Sequence, residues 1–122
     1  MKIKTSVGKT STSFSWDFNG KKIKYKLGGR ANAEYSESND LIVVAATDET
    51  VRILSSDSSL IIEFPCNESD KRRFYLLEKS SACELGVRII MAHTPEYKGE
   101  RFWQHDIDIE NKSISEPKAK WR

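Results

Sequence analysis

The chain has 122 residues, 38% apolar and 31% charged, with a net charge of +2 that is unevenly spread. Residues 1–30 hold eight basic residues against Asp17 alone (8 − 1 = +7), which leaves 12 basic and 17 acidic residues, or −5, for the remainder. A chain this long buries roughly two-thirds of its unfolded surface, so a single domain, 1–122, is expected without help from disulfides or metal; no apolar run reaches the roughly 18 residues of a membrane span, and the start, MKIKTSVGKTSTSFSW, lacks the apolar segment of a secretory signal, so a cytoplasmic protein is expected.

The clearest local signal is SFSWDFNGKKIKYKL, residues 13–27. Phe14, Trp16 and Phe18 alternate with Ser13, Ser15 and Asp17, the period of a half-buried strand. Asn19-Gly20 favours the positive φ angles of a two-residue type I′ turn. The return arm alternates Ile23, Tyr25 and Leu27 with Lys22, Lys24 and Lys26. A turn at 19–20 sets Trp16 opposite Ile23, Phe14 opposite Tyr25 and Asp17 opposite Lys22, so apolar residues share one face and charges the other.

GGRANAEYSESND, rich in Gly and Ser, reads as a loop with some short extended structure. LIVVAAT (41–47) is a continuous apolar run of strand length, as expected of a strand buried on both faces. TVRILSS, a turn at Asp57-Ser58, and SLIIEF closed by Pro65 make a second hairpin. Residues 69–86, SDKRRFYLLEKSSACELG, fit either a helix capped by Ser69 and ended at Gly86, or a strand through RRFYLLE. Ser80, Ser81 and Cys83 are weak helix formers, which favours the strand. GVRIIMAH reads as a strand, TPEYKGE as a loop, and RFWQHDIDI as a strand with a turn near Glu110-Asn111-Lys112. In the tail SISEPKAKWR, Trp121 is positioned to pin the C-terminus against the body. The expected fold is therefore all-β, or mostly β with one short helix, built as an antiparallel β-sandwich of hairpins.

HDIDIE is the segment that looks chemical. Alternation sends Trp103, His105, Ile107 and Ile109 to one face and Phe102, Gln104, Asp106, Asp108 and Glu110 to the other. His105 and Asp106 then point apart and do not share an ion or a proton. His105 reads as a core histidine, and His93 lies near it only if their strands pair. Asp106, Asp108 and Glu110 form an acidic stripe with about 6.5–7 Å between carboxylates. No calcium-loop pattern accompanies them. Gly8-Lys9-Thr10 echoes a phosphate-binding loop, but Ile3 stands where that loop needs Gly. Cys66 and Cys83 match no zinc spacing and read as buried free thiols. Asn67-Glu68-Ser69 spells a glycosylation acceptor, of consequence only on a secretory route. The reading is of a non-enzyme without metal or cofactor.

WDFNGKKI, ILSSDSSLI and IDIENKSI each place a polar turn between apolar arms, centred near residues 19, 57 and 111. VVAATDETVRILSSDSSLI is similar to the middle of a β-propeller blade, which implies a sandwich built like part of a propeller; 122 residues are too few for a closed one. A small, β-rich, catalytically empty chain with the acidic stripe of HDIDIE also resembles bacterial toxin-immunity proteins. That resemblance implies one basic protein partner, such as a nuclease toxin, whose active site an acidic face occludes. The contact residues it implies are Asp106, Asp108, Glu110, Phe102, Gln104 and Tyr97, extended by Glu34, Tyr35, Glu37 and Asp40. The alternatives are a nucleic-acid-binding domain that uses Lys22, Lys24 and Lys26, against which the absence of exposed aromatics on the lysine face counts, and an accessory interaction domain.

Overall fold

Asn19 and Gly20 both take positive φ, 52° and 77°, and close a hairpin whose register pairs Trp16 with Ile23, Phe14 with Tyr25 and Asp17 with Lys22. The alternation of residues 13–27 thus becomes the two faces of a real sheet. The computed structural model describes residues 1–66 and 71–122. Asn67-Glu68-Ser69 and the helix cap expected at Ser69 lie outside the described residues.

Three antiparallel sheets follow one another along the chain. The first holds β1 (Lys4–Val7), β2 (Ser11–Phe18) and β3 (Lys21–Gly28). The second holds β4 (Ala31–Ser36), β5 (Leu41–Ala46), β6 (Thr50–Ser55) and β7 (Leu60–Pro65). The third holds β8 (Arg72–Lys79), β9 (Val87–Tyr97), β10 (Glu100–Asp108) and β11 (Ser113–Lys120). Every strand pairs with its neighbour in sequence, so each sheet is a meander. The described residues include no helix. The protein is an all-β, sandwich-like stack. The three turns singled out near residues 19, 57 and 111 close β2–β3, β6–β7 and β10–β11, the last hairpin of each sheet.

The second sheet lies between the other two. Along β5, Ile42, Val44 and Ala46 pack with Phe14 and Trp16 of the first sheet. The alternate residues Val43 and Ala45 pack with Leu77, Val87, Ile89 and Met91 of the third. This is why LIVVAA is apolar without alternation: both of its faces are interior. Each such Val or Ile contributes about 1.5–3 kcal/mol relative to exposure. Polar ties join the layers where backbone groups would otherwise be stranded. Trp16 Nε1 donates to Ser56 O at 2.7 Å, Leu77 N to Asn32 Oδ1 at 3.2 Å, and Phe74 N to Glu49 Oε2 at 2.9 Å.

Two expectations need correction, the loops read at GGRANAEYSESND and at TPEYKGE. Residues 31–36 form a full strand, β4, paired with β5 throughout. Its small and polar residues hide it, and cross-strand pairing rather than its own apolar pattern holds it. Residues 4–7 also form a strand, β1, on the first sheet's edge. The 72–79 segment takes the favoured reading, a strand, and a register shift between Phe74 and Leu76 is what blurs its alternation. TPEYKGE is no loop: β9 runs to Tyr97 and turns at Lys98-Gly99, with Pro95 seated where the β9–β10 register shifts. Of the two free thiols, Cys66 is buried and Cys83 half-buried. Burial, with Glu49 beside it, pushes the Cys66 thiol up to about 12. Among the described residues no helix is long and apolar enough to cross a membrane.

Candidate protein-binding groove

β10 crosses the third sheet with its odd residues inward. Trp103, His105 and Ile107 are buried, whereas Gln104, Asp106 and Asp108 are partly exposed. His105 and Asp106 therefore face opposite ways. His105 is fully buried, and its Nδ1 lies 2.8 Å from Ser115 O. A carbonyl only accepts, so Nδ1 carries the proton. His105 Nε2, 3.0 Å from His93 Nε2, then accepts from His93. The two rings stack at 15°. Burial, with Arg72 and His93 nearby, holds His105 down at about 4 against the partial support of the Ser115 bond. Burial, with Arg72, also lowers His93. This pair is a neutral core contact. Among the described residues no three His, Cys, Asp or Glu side chains converge to hold a metal ion.

The acidic stripe divides on inspection. Asp106 lies opposite Arg88 on β9 and accepts from Arg88 Nε at 2.8 Å. Arg88 Nη1 also donates to Gln104 Oε1 at 3.2 Å. Asp108 closes the β10–β11 turn, accepting from Asn111 N at 3.0 Å and Asn111 Nδ2 at 2.8 Å, and these bonds hold its carboxyl below the usual range. Glu110 is exposed.

All three carboxylates line one groove of about 750 Å³. Its other wall is the 82–85 loop, where Glu84 adds a fourth carboxylate, with Asn39 from the β4–β5 turn. Lys118 is the one cation among the described residues of the lining. The loop is tied down by Ser36 Oγ donating to Leu85 O at 2.6 Å and Ser38 Oγ donating to Glu84 O at 3.0 Å. Sequence reasoning missed Glu84 because its place depends on those long-range bonds.

The remaining expected contact residues lie elsewhere. Tyr35 and Glu37 line a separate cleft of about 410 Å³, on the Ser80, Ser81 and Gly86 side of the same loop. Tyr35 donates its hydroxyl to Asp40 at 2.7 Å. Glu34 is half-buried, and burial raises its pKa against the pull of Lys79. Phe102 packs in an aromatic cluster with Tyr75 and Trp121. Trp121, whose Nε1 donates to Glu78 at 2.6 Å, pins the C-terminus as expected. Tyr97 stacks edge-on to Trp103 beside the β9–β10 turn. Gln104 is engaged at both ends, by Arg88 and by its own bond to Lys120 O at 2.9 Å. Lys22, Lys24 and Lys26 stand exposed along β3.

Comparison with protein-family models, curated proteins and solved structures finds no match to this chain.

Proposed function

We propose that this chain is a non-catalytic binding domain that captures one basic protein partner in the acidic groove, in the manner of a bacterial toxin-immunity protein. One observation carries the reading: Glu84 from the 82–85 loop and Asp106, Asp108 and Glu110 from the end of β10 and its turn face one another across a single groove, where Arg88 engages Asp106 from outside the lining and Lys118 is the one cation among its described lining residues. A lysine or arginine of the partner entering it meets carboxylates from both walls. Such a field also speeds encounter with a basic surface, as a nuclease must present to its substrate. Asp106 and Asp108 keep their place through Arg88 and Asn111, so the groove is shaped before a partner arrives and little ordering cost remains at binding.

That division of labour selects the variant for the test. Asp106 and Asp108 hold the sheet and the turn, and reversing them confounds binding with folding. Glu84 and Glu110 are exposed and leave the fold intact. The experiment is affinity capture by the tagged protein from its native cells, with nuclease treatment, using wild type and E84K/E110K. A stoichiometric basic partner retained by wild type and weakened about tenfold or more by the double variant is expected. Equal capture by both proteins removes the groove as the binding site.

A further inference from the structure

The first sheet turns a different kind of surface outward, at the far side of the stack from the groove. Register places Lys4, Ser15 and Lys24 in one row across β1–β2–β3, and Ser6, Ser13 and Lys26 in the next. The central strand thus contributes short hydroxyls where lysines flank it. The result is a trough of about 420 Å³ with a serine floor and lysine walls, lined by β1, β2 and β3 alone. No residue of the second sheet lines it, so it opens on the outer face. Phe14 and Tyr25 also border the trough, but their rings pack with Trp16 in the core on the opposite face of the sheet. Among the described residues Lys4, Lys24 and Lys26 make no ion pair. Asp17 stands opposite Lys22 nearer the turn, outside the trough lining.

The geometry points to a site for the phosphodiester backbone of a single nucleic-acid strand. Lysine ammoniums and serine hydroxyls are the side-chain groups that contact phosphate oxygens. Successive lysines along β3 stand about 6.5–7 Å apart, and the walls about 10 Å apart across two strand spacings. A B-DNA duplex is wider than its own major groove of about 12 Å, so it does not enter a trough of this width, which seats one strand from both sides. No large apolar side chain lines its outer face for insertion into a lipid surface. With no aromatic platform there either, recognition rests on the backbone and is independent of base sequence.

The test is fluorescence anisotropy with a labelled 12-nucleotide single strand of mixed sequence, titrated at several salt concentrations. Three neutralised phosphates give a slope of log K on log salt of about −2 for a single strand, or about a twentyfold loss between 50 and 200 mM. K4Q/K24Q/K26Q is expected to abolish binding, and K79Q/K98Q/K112Q, equal in net charge and distant from the trough, to preserve it. S13A/S15A is expected to weaken binding while leaving the slope unchanged. No binding at low salt, equal losses in the two lysine variants, or tighter binding to phosphatidylserine vesicles or to a poly-glutamate peptide than to the oligonucleotide would overturn the proposal.

Discussion

The outer faces of the first and third sheets both carry charge, yet they spend it differently. On the third, Arg88, Gln104 and Asp106 hold one another across β9 and β10, and Arg88 is buried. On the first, lysines stand beside serines without an ion pair among the described residues. The inner faces differ too. The first sheet presents Phe14 and Trp16 to the core, whereas the third carries the His93–His105 pair inside. A charge engaged within a sheet belongs to the fold; one left unengaged is open to a partner. Removing the first kind lowers stability, and removing the second lowers affinity.

The largest effect expected from this contrast is on acid stability. His105 folds neutral, held at about 4 against an ordinary value near 6.5. Its stabilisation is complete above pH 6.5 and is lost as pH falls toward 4, by about 3 kcal/mol at the limit. His93, lowered by burial and Arg72, acts in the same direction. Urea unfolding at pH 7, 5.5 and 4.5 should show this decline in wild type. In His105→Gln stability should start lower and fall much less across that window. An equal decline in both proteins would place the titrating group elsewhere.

Next in size is Asp106→Ala, which leaves the Arg88 guanidinium with Gln104 as its one side-chain acceptor among the described residues. A loss of about 2 kcal/mol is expected by urea unfolding at pH 7. Arg88→Met, which removes the buried charge and keeps volume, should cost less. If the two cost the same, the pair contributes packing alone. Smallest is Lys24→Gln, expected within about 0.5 kcal/mol of wild type. A larger loss would mean that the lysine is structural and would erase the contrast between the sheets.

The legible parts of the sequence were those where neighbours in the chain are neighbours in space. The Asn19-Gly20 hairpin announced its own register, and with it the lysine face. LIVVAA announced a layer buried on both sides. β4 stayed hidden because ANAEYS depends on β5 for its pairing. β8 stayed ambiguous because its bulge breaks the alternation. At the groove, alternation along β10 correctly separated His105 from Asp106 and grouped the carboxylates. It did not reveal that Arg88 takes Asp106, since that depends on the register with β9. Nor did it bring in Glu84, whose loop is held by hydrogen bonds from the end of β4 and from the β4–β5 turn across more than 40 residues.

The most direct measurement is amide hydrogen exchange of the protein alone and saturated with its captured protein partner. Slowed exchange confined to residues 80–86 and 106–112, with β2 and β3 unchanged, is the result expected of a partner seated in the acidic groove. Protection on β1–β3 instead, with 80–86 and 106–112 unaffected, would contradict it and assign the protein partner to the lysine face.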